Sequence, residues 1–318
     1  MSRNMSRHWS EILENAYQIQ KKAQESGTEA WQQPESQGQT PAQTRGETEQ
    51  NNCNIGQQDK SIADLRLESF RESNQKLSKN KSQLPNLAAQ ARIFEPVTPG
   101  RRKFFKEWRN IPVIGRNDIV VEHKFHQLNQ LDLTGWLVLL KFSGSNFIST
   151  FTRYEFLKTM KKQDSSRDYN WLRTFIDRIA ETRFALYLYK NNTKWERYTG
   201  ALALQDFERS DGKFAVELSQ PLAAMFGFDG WSFINIEDRF KLGQNQWAQA
   251  FHAWASTHTC PTDGFWWKKE DFWREWGPEY KELENFMRLF KRRVIKPLYD
   301  IEFIKKVTEK KTAVGIWW

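Results

Sequence analysis

Between Lys268 and Trp318 the chain carries side chains suited to hold a polyanion. Read as a helix from about Pro278 to Pro297, this stretch puts Leu283, Phe286, Met287, Phe290 and Val294 on one face at three–four spacing. The opposite face carries Lys281, Asn285, Arg288, Arg292 and Lys296, an almost uninterrupted row of N–H donors. A second reading competes. The helix starts acidic (Glu279, Glu282, Glu284) and ends basic, a polarity that the helix dipole favours on any solvated surface. The dipole does not account for Lys305, Lys306, Lys310 and Lys311, which a following hairpin would bring beside the same helix.

The elements that must position these donors can be read around them. KKEDFWREW forms a short helix closed by Gly277-Pro278, and DIEFIKKV and AVGIWW form two strands joined by the tip Thr308 to Thr312. The order is helix, turn, helix, strand, wing, strand, which is that of a winged helix. An earlier stretch repeats it in architecture and not in letters. Its first helix is Leu131 to Lys141, and the capping box Thr152-Arg153-Tyr154-Glu155 starts a second helix running to Lys162. A third helix, Arg167 to Glu181, turns Leu172, Phe175, Ile176 and Ile179 inward, and FALYLY, the tip KNNTK and YTGALAL follow as its hairpin. Outward on that helix stand Arg167, Asn170, Thr174 and Asp177, with Arg173 and Arg178 beside them. Arg and Asn are the residues that pair bidentately with guanine and adenine. A solvated face is the alternative, given Asp177 and Glu181. The later unit opens with its own first helix, Gln244 to Thr257, with Trp247, Ala250, Phe251, Trp254 and Ala255 inward.

Composition places the folded mass. Of 318 residues with a net charge of +9, all but two of the 15 Trp and all but one of the 23 Phe lie at or beyond residue 94. The expected organisation is therefore α+β: a largely disordered leader over residues 1–92 and two tandem winged-helix domains over 93–235 and 236–318. Within the leader, residues 7–22 read as an amphipathic helix that needs a partner, and Gln32 to Asp59 as a polar, Gln-rich tether. Ser61 to Lys79 reads as a weaker helix. Two cysteines, Cys53 and Cys260, fit a reducing cytoplasm, and the longest apolar run, Trp136 to Leu140, is too short to span a bilayer. A sequence pI near 9.4 points to nucleic acid before catalysis. There is no GxxxxGK[ST] loop and no carboxylate pair in an acid–base pattern. His123 and His126 fall on opposite faces of a strand, and His252, His258 and Cys260 lack a fourth ligand. We expect no enzyme activity, metal or cofactor.

Gln90-Ala91-Arg92-Ile93-Phe94 is a short apolar hook. It resembles the pentapeptide with which bacterial proteins dock on the replicative sliding clamp, Gln90 at the pocket rim and Ile93 and Phe94 as anchors. Ala91 and Arg92 depart from that pattern, and the alternative is that Ile93 and Phe94 begin the folded core. With the hook, FTRYEFLKTM, the FALYLY hairpin, PLAAMFG, WAQAFHAW and the closing helix and wing, residues from about Gln90 to Trp318 resemble the TrfA-like plasmid replication initiators. That resemblance implies a cytoplasmic, plasmid-associated bacterial protein that binds double-stranded tandem origin repeats (iterons) and opens the adjacent DNA. It also implies recruitment of host initiator, replicative helicase and sliding clamp, and leaves a monomer–dimer equilibrium open. The expected groove residues are Arg167, Asn170, Arg173, Thr174, Lys281, Asn285, Arg288, Arg292 and Lys296, with Lys190, Lys194, Lys310 and Lys311 on phosphates. A winged-helix transcriptional regulator and a protein-interaction scaffold are the competing readings.

Overall fold

The computed structural model describes residues 80–97, 101–111, 113–116, 118–143, 147–190, 193–208, 213–219 and 230–318. They belong to a compact unit assigned to Ala63–Trp318. The helix over 7–22, the polar tether, the 61–79 helix, Cys53 and all of PLAAMFG lie outside the described residues.

In chain order, β1 (Lys81–Pro85) leads into α1 (Asn86–Gln90) and β2 (Phe94–Glu95), then β3 (Phe104–Ile111), β4 (Ile119–His126) and β5 (Leu128–Asn129). The first repeat follows as α2 (Gln130–Phe142), β6 (Ile148–Thr152), α3 (Arg153–Thr159) and α4 (Ser166–Glu181), with β7 (Arg183–Lys190), β8 (Thr193–Ala201), β9 (Ala203–Glu208) and β10 (Lys213–Leu218). After β11 (Trp231–Asn235) and α5 (Ile236–Lys241), the second repeat is α6 (Gln246–Ser256), β12 (Phe265–Lys268), α7 (Lys269–Trp276) and α8 (Leu283–Phe290). A π-helical turn (Lys291–Ile295) continues α8 into α9 (Lys296–Asp300), and β13 (Lys306–Glu309) and β14 (Ala313–Trp317) close the chain.

Both repeats build the same sheet. β6, β10 and β9 are hydrogen-bonded in the order β6-β10-β9, and β12, β14 and β13 in the order β12-β14-β13. In each, the strand after the first helix pairs with the last strand of the hairpin. Local signals start the helices of the first repeat close to where they were expected. Asn129 caps α2 and Thr152 caps α3, each in a reciprocal box with the carboxylate three residues on (Asp132 and Glu155). Ser165 caps α4 through the Asp168 amide. Helix α3 ends at Thr159, short of Lys162, and Lys161 takes a positive φ of 53° beyond it.

Three features differ from the sequence reading. The strand β12 was not anticipated, because FWWK alternates too briefly to stand out from the helix that follows it. The stretch from Asp300 is not a strand: α9 runs to Asp300, Glu302 turns at φ 62°, and pairing begins only at Lys306. The hairpin of FALYLY and YTGALAL forms as β7–β8, its last two residues passing into β9, but it joins a sheet other than the one beside α4. Strand β7 pairs with β4, Ile119 opposite Leu188, Val121 opposite Leu186 and His123 opposite Phe184, giving a four-stranded sheet in the order β3-β4-β7-β8. The hairpin beside α4 is β9–β10 instead. An alternating strand announces its buried face but not which strand lies against it.

The core lies in two clusters. One spans Leu84 to Ile236 with Ala253 and includes Trp136, Phe151, Phe156 and Phe175; the other gathers Phe251, Trp254, Phe272, Trp276, Phe286 and Phe290. Between them lies a polar joint. Arg239 is wholly buried and faces only neutral acceptors: Nε donates to Thr134 Oγ1 (2.9 Å), Nη1 to the Gln249 carbonyl (3.0 Å) and Nη2 to the Gln130 carbonyl (2.9 Å). Burial alone pushes its pKa down to about 9. The Gln130 amide in turn donates to Gln246 Oε1 (2.9 Å), tying α2 to α6.

Candidate nucleic-acid interface

The donor face of the second repeat rests on an interrupted helix. Its start at Leu283, rather than Pro278, follows from the turn before it. Gly277 ends α7, the Tyr280 amide bonds the Gly277 carbonyl (3.0 Å), and the Trp273 indole donates to the Tyr280 carbonyl (3.0 Å). Lys281 therefore precedes the helix and does not share its stripe.

Pro297 sits inside the helix and has no N–H, so the Arg293 carbonyl loses its helical donor. Asn245, the N-cap of α6, supplies one: its Nδ2 lies 2.6 Å from that carbonyl. One turn earlier the helix widens, with the Lys296 amide bonded five residues back to Lys291. The widening keeps two faces in register. Phe286, Phe290, Val294 and Leu298 are all buried at strict four-residue spacing. In a regular helix three such steps drift by about 120°, and one inserted residue takes back about 100°. The same compensation holds Arg288, Arg292 and Lys296 on the opposite, exposed face.

Arg288 Nη2 donates to Asn285 Oδ1 (2.9 Å), so Asn285, half-buried, orients an arginine as well as offering its own amide. Lys296 pairs with Asp300 (2.8 Å). Lys291 pairs with Glu309 at the end of β13, and Glu309 also accepts from Lys269 (2.6 Å). The hydrogen bonds from Lys269 and Lys291 hold its carboxyl below the usual range. Among the described residues, no carboxylate pairs with Arg288, Arg292, Arg293, Lys305, Lys310 or Lys311.

The first repeat has a comparable geometry and a different charge. Arg167, Asn170, Arg173, Thr174 and Asp177 are exposed on α4. Arg173 is engaged: it pairs with Glu208 at the end of β9, donates to Tyr169 Oη (3.0 Å) and lies over the Tyr169 ring at 5.2 Å. That bond to Tyr169 raises its pKa. Thr174 bonds back to the Asn170 carbonyl (2.8 Å). Arg178 is not outward at all. It is buried and paired at 2.7 Å with the fully buried Asp132, which Arg102 also binds at 2.8 Å. Asp177 is pushed up by desolvation and by Asp206 and Glu181, so acidic groups crowd this face. Lys190 and Lys194 fall at the tip of β7–β8, on the four-stranded sheet and not on the sheet beside α4. The true tip beside α4, residues 209–212, lies outside the described residues.

The hook is part of the core. Ile93 and Phe94 are 0% and 2% exposed, Phe94 stacks on Trp136 (5.8 Å), and Gln90 is buried with its amide 3.4 Å from Thr257 Oγ1. Arg92 reaches across to the Glu275 carbonyl and covers the Trp276 ring. As folded, the segment presents no apolar anchor to a partner. The sequence reading also passed over Asn245 and Glu309; an asparagine capping a helix gives no sign in sequence that its other atom serves a distant proline.

The chain is thus a mixed α/β protein in which two repeats of one topology each set a long, outward-facing third helix beside a three-stranded sheet. Among solved structures it is similar to domains 2 and 3 of RctB, in a selenomethionine crystal structure, with a TM-score of 0.48 and 15% identity over 74% of this chain and 98% of that one. A second structure of RctB domains 2-3 gives a TM-score of 0.44 and 13% identity over 73% and 97%. No family model matches the chain. No curated protein matches it either. Among the described residues, no helix is long and apolar enough to cross a membrane, and no group of three or more His, Cys, Asp or Glu could hold a metal ion.

Proposed function

We propose that the two repeats are winged-helix units that bind duplex DNA in tandem, each laying its third helix in a major groove and its hairpin along the backbone. In the second unit Arg288, Arg292 and Asn285 read bases, Lys296 lies at the groove edge, and Lys310 and Lys311 hold phosphates. In the first, Arg167 and Asn170 read, while Arg173 and Thr174 brace α4. Following the resemblance to TrfA-like initiators, the biological role is initiation of plasmid replication: binding of tandem origin repeats, opening of the adjacent DNA and recruitment of host initiator and helicase. Clamp docking through Gln90, Ile93 and Phe94 is set aside, because both anchors are buried. Lys190 and Lys194 are set aside as wing residues, because their hairpin belongs to another sheet.

The observation that carries this reading is the exposed row Arg288, Arg292, Lys296, kept on one face by the π turn and followed in the hairpin by Lys310 and Lys311, which pair with no carboxylate among the described residues. The test is fluorescence anisotropy of the full chain on duplexes tiled across the DNA flanking its gene. High affinity for tandem repeats over scrambled duplex, at several salt concentrations, is the expected result. Preference for a lone palindrome would favour a regulator, and no preference at all would favour a scaffold.

A further inference from the structure

The outer face of the β12-β14-β13 sheet, turned away from the helices, carries, beside the Lys310 already assigned to duplex phosphates, two indoles and a lysine that duplex reading does not use. Register places Trp266 and Trp317 on this face, opposite Gly315 and Lys306 respectively. Both indoles lie outside the core cluster and are half-buried. They meet edge to face at 5.6 Å. Each is pinned by its N–H: Trp266 donates to the Asp263 carbonyl (2.8 Å) and Trp317 to the Thr262 carbonyl (3.3 Å). Gly315 and Gly264 make the room, since a Cβ on Gly315 would come within 2.7 Å of the Trp266 ring and one on Gly264 within 2.3 Å of Trp317. Over the rings lie two ammonium groups, Lys310 at 4.4 Å from the Trp266 centroid and Lys306 at 4.9 Å from that of Trp317. No strand residue facing this way is acidic.

The first repeat supplies an internal comparison. The corresponding face of its sheet carries Ile148, Thr150, Ala215 and Glu217, with Phe207 and Gln205 at the register positions opposite Ala215 and Glu217, Lys213 at the end and no tryptophan. The shared topology therefore does not require two fixed indoles under lysines. Their presence on one repeat alone is a property of surface and not of fold.

We propose that this face is a binding site for single-stranded nucleic acid, in which unpaired bases stack on Trp266 and Trp317 while Lys306 and Lys310 move from the rings to the phosphates. The chemistry fits on both counts. Pinned indoles present fixed π-faces at little entropic cost, and the surrounding ammonium groups complement a backbone of phosphates. A duplex, whose bases are already stacked and paired, offers the rings nothing. This inference does not depend on the reading of duplex DNA by α8 and α9.

The experiment is anisotropy of the full-length protein with fluorescein-labelled dT20, rU20, an abasic oligomer of the same length, and a 20-bp duplex. The expected result is binding of dT20 at least about tenfold tighter than of the abasic oligomer. Trp266→Ala and Trp317→Ala should each weaken dT20 binding by about tenfold or more and leave duplex affinity unchanged. Lys306→Glu, an exposed change that leaves the core untouched, should weaken dT20 as well and so guards against loss by unfolding. Comparison of rU20 with dT20 assigns the natural strand to RNA or DNA. Equal affinity for the abasic oligomer would reduce the face to electrostatics and overturn the proposal. So would retention of dT20 binding in folded Trp266→Ala and Lys306→Glu proteins.

Discussion

The guanidinium of Arg239 clasps Gln130 twice, donating to its main-chain carbonyl at 2.9 Å and to its side-chain Oε1 at 3.0 Å. Gln130 opens the first helix of one repeat, and Arg239 bonds through Gln249 to the first helix of the other. A cation with no carboxylate partner holds its place only while every acceptor stays in position, so the joint favours one arrangement of the two repeats.

If the tandem reading of DNA is right, that joint acts as a ruler. Inserting two base pairs between the halves of the site turns the second groove by about 70° and should lower wild-type affinity at least about tenfold. Arg239→Met, once shown to be folded, should tolerate the insertion better. Identical insertion penalties in both proteins would show that the knot does not set the spacing.

Replacing Arg288 or Arg292 by Ala should cost about 1–3 kcal/mol on the cognate site and relax its sequence preference. Lys311→Ala should instead weaken every duplex similarly and lower the salt slope by roughly one. Titrations on cognate and scrambled duplexes separate the two patterns; equal losses on both from Arg288→Ala would leave that helix with backbone contacts only.

Asn245 serves two helices at once, capping α6 through the Ala248 amide (3.2 Å) and satisfying the Arg293 carbonyl that Pro297 leaves open. Asn245→Ala should lower stability by about 1–2 kcal/mol in urea denaturation. Asn245→Asp keeps the cap but replaces a donor by an acceptor at the carbonyl, so it should not restore stability. Full recovery in the aspartate variant would mean that the carbonyl contact is immaterial.

Phe94→Ala should destabilise the whole unit by about 3–5 kcal/mol, because it empties a buried site stacked on Trp136. A surface hook would give no such effect. Thermal denaturation decides: an unchanged midpoint would put Phe94 back on the surface.

His123 and His252 predict a dependence on pH. His123 is wholly buried with no partner for either ring nitrogen, and desolvation with nearby Arg109 holds its pKa down at about 4; desolvation and Arg239 hold His252 at about 3. Unfolded, each takes a proton near pH 6.5 that the folded protein refuses, so their contribution is full above that value. It falls as pH drops from 6.5 through the folded values, by about 3 kcal/mol for His123 alone. Chemical denaturation between pH 7 and 4.5 should show this loss, and His123→Phe should flatten it. A slope unaltered in that variant would assign acid sensitivity to other groups.

Local chemistry was legible in the chain. The cap at Thr152, the inward row Leu172, Phe175, Ile176 and Ile179, and the stop at Gly277 act within a turn or two, so the residues that fix them are neighbours in sequence. The exposure of Arg288, Arg292 and Lys296 was legible for the same reason, whereas the turn that aligns them was not. Tertiary structure alone decided which strand β7 would join, because alternation in a strand fixes its buried face and leaves its partner open. It alone decided that Ile93 and Phe94 pack on Trp136 rather than stand as a hook, since an apolar pair reads the same whether its pocket belongs to this chain or to another. The π turn also needed the fold. Pro297 can stay inside the helix only because Asn245, 48 positions from the carbonyl it caps, arrives to replace the missing donor.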